Sequence, residues 1–119
     1  MTVMPDALLA CFREAAREGF ERRVIDLLRR RFVDAEGVSD VNLRPVVQEQ
    51  IARAESYRLI CEGDVASYVA TAWVMGRNFD RGFPAAARVL RNLALRPRDK
   101  RVWLERWTVR MLATLEQKE

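Results

Sequence analysis

Residues 64–76 read DVASYVATAWVMG, and from Val65 to Met75 no position carries a charge. A helix that is apolar nearly all round must be covered by other elements. At about 1.5 Å per residue it spans roughly 18 Å, too short for a bilayer. Asp64 suits the N-cap, where a carboxylate accepts an orphan N–H and opposes the helix dipole. Gly76 suits the far end, where glycine takes a left-handed conformation without steric cost. The stretch is therefore read as a buried central helix, with the remaining segments as its cover. The expected fold is all-α: a single-domain bundle of about five helices over residues 1–119.

The chain before the central helix supplies two covering segments. Pro5 and Asp6 open a long amphipathic helix that runs to about Phe32. Its apolar stripe is Leu8, Phe12, Ala16, Phe20, Val24, Leu27 and Leu28, widened by Ile25 and Phe32. The opposite face carries Arg13, Glu14, Arg17, Glu18, Glu21, Arg22, Asp26, Arg29 and Arg30. Gly19 is read as a place for close approach of another helix. Residues 34–40 (DAEGVSD) form a connector, and Ser39 or Asp40 caps the next helix, with Pro45 near its first turn. Leu43, Val47 (or Val46), Ile51, Ala54 and Leu59 or Ile60 are its buried side. Gln48, Glu49, Arg53 and Glu55 are expected to face outward, and the helix fades near Tyr57.

Beyond the central helix, residues 77–84 (RNFDRGFP) read as a compact turn that tucks Phe79 and Phe83 inward. Pro84 starts a short helix with Ala87, Val89, Leu90 and Leu93 as apolar members. The Arg96-Pro97-Arg98 break leads into a last helix from about residue 97, where Trp103, Trp107, Met111 and Leu115 form an i,i+4 ladder. No hairpin pair and little two-residue alternation are present, so no strand is expected.

Half of the residues are apolar and 32% charged, which suits a globular helical domain large enough for a real core. The formal charge of +4 comes almost wholly from arginine. Cys11 and Cys61 lie beside apolar stretches and are read as buried, reduced thiols. A basic leader and a long apolar run are both missing from the N-terminus, so the expected location is the cytoplasm.

Chemistry is scarce in this sequence. There is no histidine, which removes histidine triads, Cys–His pairs and the commonest zinc ligand. Neither a GxSxG, a phosphate-binding loop nor a GxGxxG is present. Glu62, Asp64 and Asp80 are the carboxylates that would have to meet for acid–base work. The simpler reading makes Asp64 a helix cap and Asp80 a turn cap, so no catalytic, metal or cofactor-binding residues are assigned. Trp103 and Trp107 are read first as core, and second as an anchor for a partner. Arg96, Arg98, Lys100 and Arg101 form the densest basic run, with Arg88 and Arg91 upstream.

From Ile51 to Pro84 the sequence resembles a family of small helical bacterial proteins. The matching residues are Ile51, Arg53, Ala54, Tyr57 and Ile60, then Glu62, Asp64, Val65, Tyr68 and Val69, then Gly76, Phe79 and Asp80. The family's proline-rich link is altered here to Arg81-Gly82-Phe83-Pro84. Such proteins are often encoded beside components or effectors of type VI secretion systems. The resemblance implies an immunity protein that binds a toxin effector, or an adaptor or chaperone that handles effector cargo.

The expected function is thus that of a non-catalytic module binding another protein, a secreted effector or a secretion component, with Arg88, Arg91, Arg96, Arg98, Arg101, Trp103 and Trp107 as partner-binding residues. A nucleic-acid-associated protein using the same arginines is the alternative from a different class, and its affinity would fall steeply with salt. The stripe of the first helix is wide enough for a homodimer as well as a core.

Overall fold

A computed structural model describes the backbone of residues 6–117 and the side chains of residues 16–115. Seven α-helices and no strand occur among these residues: α1 (Asp6–Arg31), α2 (Val33–Glu36), α3 (Asp40–Ser56), α4 (Glu62–Met75), α5 (Phe79–Gly82), α6 (Pro84–Arg91) and α7 (Pro97–Gln117). The five longer helices are those expected from periodicity. The additional two, α2 and α5, lie in the stretches read as plain connectors, where one helical turn closes each bend. The chain's contacts group into two compact units, Met1–Val47 and Gln48–Glu119, with the division inside α3. No described helix is long and apolar enough to cross a membrane.

In the first unit the buried apolar residues, among those described, are Val24, Ile25 and Leu28 of α1, Ala35 of α2, and Leu43 and Val47 of α3. Leu8, Phe12, Arg13, Glu14 and Cys11 lie outside the described side chains, and Pro5 outside the described residues. Ala16 is exposed, although its spacing places it on the apolar stripe. Glu21, read as outward-facing, is instead buried, and its carboxylate meets Arg44 at 3.5 Å. Arg29 donates to the Val38 carbonyl at 2.9 Å and to the Asp40 carboxylate, tying the end of α1 to the start of α3. A Cβ at Gly19 would meet only an Arg23 guanidinium nitrogen at 3.4 Å, so no close helix approach explains that glycine among the described residues. Pro45 sits in the interior of α3 rather than its first turn, leaving the Val41 carbonyl without its usual partner.

The second unit holds α4 to α7, with α4 packed on α7, α6 on α7 and α5 on α6. No residue from Asp64 to Met75 is exposed, as the charge-free run requires. Its start differs from expectation: α4 begins at Glu62, with Cys61 at the N-cap and no side-chain cap bond. Asp64 therefore lies inside the first turn, where its charge still opposes the dipole. Cys61 is exposed, because the cap position falls outside the buried stripe. Gly76 ends the helix at φ 113°, a conformation that needs glycine, and its N–H reaches the Ala72 carbonyl.

Ile51, Ala54 and Leu59 are buried as read, while Ile60 is 80% exposed. Pro84 is the first residue of α6, where its missing N–H costs least. Leu93, assigned to that helix's apolar side, lies past its end and is exposed, whereas Ala86 is buried instead.

Candidate interaction site

Arg53 and Asp80, read as an outward charge and a turn cap, form the centre of a polar network. Asp80 is 1% exposed. Its carboxylate accepts from the Tyr57 hydroxyl at 2.7 Å and from Arg53 Nη1 at 3.3 Å. The same guanidinium donates to the Arg77 carbonyl at 2.7 Å, to Asn78 Oδ1 at 2.9 Å and, through Nη2, to Glu49 at 3.0 Å. Gln50, itself buried, also donates to the Arg77 carbonyl at 3.1 Å. The side chains of α3 thereby satisfy the backbone where the chain leaves α4, a place where carbonyls lack helical partners. Glu49 takes a further hydrogen bond from Arg77, which holds its carboxyl below the usual range.

Lys100 is 2% exposed, although it lies within the run read as basic surface. Its Nζ donates to the Tyr57 carbonyl at 3.0 Å and the Leu90 carbonyl at 2.8 Å. One cation thus closes the C-terminal ends of α3 and α6, the dipole ends that favour positive charge. Burial, then the nearby Arg58, lowers its pKa from the ordinary 10.5. Arg101 is also withdrawn from that run. It lies over the first turn of α4 with Nε 3.4 Å from Asp64, and a Cβ at Gly63 would stand 3.0 Å from its guanidinium. Glycine at 63 is what permits this approach.

These pairings separate Asp64 from Asp80, two of the three carboxylates considered for acid–base work; Glu62 shares the first turn of α4 with Asp64. Asp64 is near one end of α4 with Arg101, and Asp80 is beyond the other end with Arg53 and Tyr57. Among the described residues no cluster of three potential metal ligands occurs.

An aromatic row runs from this network to the surface. Tyr57 and Tyr68 stand 6.0 Å apart, Tyr68 and Phe79 5.0 Å, Phe79 and Trp107 6.1 Å, and Trp107 stacks on Trp103 at 5.4 Å. Trp107 is buried, as its spacing predicts, and Trp103 is half-buried at the outer end. Phe83 meets Trp107 edge-on at 5.1 Å.

Tyr68 is wholly buried and its hydroxyl has no hydrogen-bond partner among the described residues. Burial first, then the Asp80 charge, pushes its pKa far above the ordinary value, while burial and then the hydrogen bond to Asp80 raise that of Tyr57. The folded protein therefore holds protons that the unfolded chain releases near pH 10, so stability present below that pH is lost as pH rises further. Each tyrosine contributes a slope of at most about 1.4 kcal/mol per pH unit. Lys100 acts in the opposite sense between its lowered pKa and 10.5. Tyr68→Phe should raise the unfolding free energy at pH 7 by about 1 kcal/mol, because an unpaired buried hydroxyl is removed. Urea titrations at pH 7 and 10.5 should show the gain widening with pH. A loss at both values would mean that the hydroxyl has a partner.

The outward side of α7 carries an open groove of about 880 Å³. At 3.6 residues per turn, Arg98, Val102, Arg106, Val109 and Arg110 lie opposite the buried Leu104. Val102, Val109 and one edge of Trp103 make its apolar floor, and Arg96, Arg98, Arg106 and Arg110 its basic margin. Arg96 is spent on Asp99, 3.2 Å away, and its hydrogen bonds hold the Asp99 carboxyl below the usual range. Glu105 accepts from Ser67 at 3.1 Å and stands 3.9 Å from Arg101.

The chain matches no family model, no curated protein and no solved structure. The residues that carry the resemblance read above are mostly those that build this unit's interior. Ile51, Ala54, Val65, Tyr68, Val69 and Phe79 are buried, and Arg53, Tyr57 and Asp80 make the network. None of them lines the α7 groove.

Of the residues read from sequence as partner-binding, the groove brings together Arg96, Arg98 and Trp103. Arg101 and Trp107 support it from the inward side. Arg88 and Arg91 are exposed on α6, beside a separate shallow depression. Val102, Arg106, Val109 and Arg110 were missed. Their signal was the outward half of the same helical period that marked the tryptophan ladder, and the ladder drew attention to the inward half alone.

Proposed function

We propose that the protein is a non-catalytic module that binds another protein through the outward face of α7. The observation that supports this is an apolar floor, anchored by a tryptophan held in a stack, inside a basic margin. Tryptophan and arginine are the residues most enriched among binding hot spots. Of the acidic groups considered for a reaction, Asp64 is committed to Arg101, and Asp80 to Arg53 and the Tyr57 hydroxyl. The narrower reading comes from the resemblance over Ile51 to Asp80. In it the chain is a single cytoplasmic helical domain, built round α4, that binds and blocks a toxin effector of a type VI secretion system.

The test is co-expression with the product of the adjacent gene, followed by co-purification and a viability assay. A one-to-one complex with protection from toxicity is expected for an immunity protein. A complex without protection would make the chain an adaptor or chaperone for effector cargo. Trp103→Ala should weaken that complex by about 30-fold, the effect of removing a hot spot worth about 2 kcal/mol. Absence of any complex with a well-folded protein would end the reading. Against the nucleic-acid alternative, Lys100 and Arg101 are turned inward, which shortens the basic run on which it depended.

A further inference from the structure

We infer that the α7 groove takes an acidic amphipathic helix of about three turns or more. The inference rests on the reading of α7 as the partner-binding face and specifies the chemistry of what docks there. Charge complementarity carries it. The groove contains four arginines and two carboxylates. Asp99 is occupied by Arg96, while Glu105 is engaged by Ser67 and lies near Arg101. Arg98, Arg106 and Arg110 have no carboxylate partner among the described residues, so three positive charges remain for an incoming segment.

Their spacing sets its length. At about 1.5 Å per residue, Arg98 and Arg110 are roughly 18 Å apart along the helix, and Arg106 divides that distance unevenly. A partner must place carboxylates over the same span, which a helix of about 12 residues does. Val102 and Val109 are seven residues apart, two turns on the same line. Val109 is 68% exposed, a large aliphatic surface left in water. A row of apolar side chains at i, i+3/i+4 and i+7 on the partner would cover it, the usual pattern of a helix laid into a groove. Trp103 needs little ordering on binding, since its ring already rests on Trp107. That lowers the entropic cost of using it as an anchor.

A nucleic-acid strand fits this surface less well. Its phosphates would pass Asp99 and Glu105, which are interspersed with the arginines rather than set apart from them. Trp103 also has one face taken by Trp107, leaving less ring for base stacking.

The experiment uses the full chain and two synthetic 18-residue helical peptides sharing a leucine row at i, i+3, i+4 and i+7. One carries glutamate at the flanking positions and the other lysine. Calorimetry at 50 mM salt should show binding of the glutamate peptide and at least 30-fold weaker binding of the lysine peptide. Binding of the glutamate peptide should weaken at least tenfold in 500 mM salt, and Arg106→Glu should weaken it by at least tenfold. Arg31→Glu, at the exposed end of α1, should leave it unchanged. Equal affinity for both peptides, no binding of either, or tighter binding of a 20-nucleotide single strand at the same face would overturn the inference. Should the adjacent gene's product bind equally well to the Arg106→Glu protein, the acidic-helix inference fails while the binding-module reading stands.

Discussion

Phe79→Ala is expected to lower the unfolding free energy by about 3–5 kcal/mol, the range for removing a buried phenyl ring. Phe79 is one of the largest fully buried side chains, set between Tyr68 at 5.0 Å and Trp107 at 6.1 Å. Those neighbours, held on α4 and α7, relax only partly into the space left, so the cavity cost adds to the lost transfer energy. Phe79→Leu keeps most of the volume and should cost about 1–1.5 kcal/mol. Urea unfolding followed by tryptophan emission measures both, because Trp107 loses its neighbour. The effect should extend to the tryptophan pair: Trp107 is the plate on which Trp103 rests, so the alanine variant should also show weaker near-ultraviolet dichroism from the tryptophans. A cost below 1 kcal/mol for the alanine variant would show that Phe79 is not packed as described.

Asp80→Ala should cost about 2–4 kcal/mol. Removing one member of a buried ion pair leaves its partner uncompensated, and the loss is commonly 3–5 kcal/mol. The lower figure applies because Arg53 keeps Glu49, Asn78 and the Arg77 carbonyl as acceptors. Asp80→Asn preserves the shape but accepts from only one of its two donors at full strength, so a loss of about 1–2 kcal/mol is expected. Tyr57→Phe removes the 2.7 Å hydrogen bond from the other side. In a double-mutant cycle the Tyr57 and Asp80 changes should be non-additive by 0.5 kcal/mol or more, since they share one interaction. Strict additivity would show that the two side chains do not meet in solution.

The helices were legible because apolar spacing is local. Leu43, Val47, Ile51 and Ala54 lie where a 3.6-residue period puts them, and Pro84 and Gly76 mark ends by backbone constraints that belong to single residues. Short helices α2 and α5 were not legible, since one turn contains too few residues to show a period. Charged side chains were misread for a different reason. A long arginine or lysine carries no sequence mark of whether its head ends in water or on a carbonyl, so Arg53, Lys100 and Arg101 looked like surface. Glu21 and Asp80 were misplaced likewise, because each is buried by virtue of a partner distant in sequence.

The candidate site was half legible. Trp103 was marked by its i,i+4 spacing and Arg96 and Arg98 by the local basic run, whereas Val102, Arg106, Val109 and Arg110 became relevant only once the buried side of α7 was known. A helix offers one face to its neighbours and the other to solvent, and which is which depends on where α4 packs.

By itself, then, the sequence determined that the chain is helical, where its long helices run, and that the charge-free run of α4 must be covered. Those are consequences of hydropathy and backbone geometry acting over a few residues. The tertiary structure alone decided which charges are consumed by pairing and which stay free. That outcome depends on residues 20 to 45 positions apart meeting within hydrogen-bond distance, as Lys100 does with the Tyr57 carbonyl and Arg53 with Asp80. In the α7 groove the same kind of pairing, Arg96 with Asp99 and Arg101 near Glu105, leaves Arg98, Arg106 and Arg110 without a carboxylate partner among the described residues.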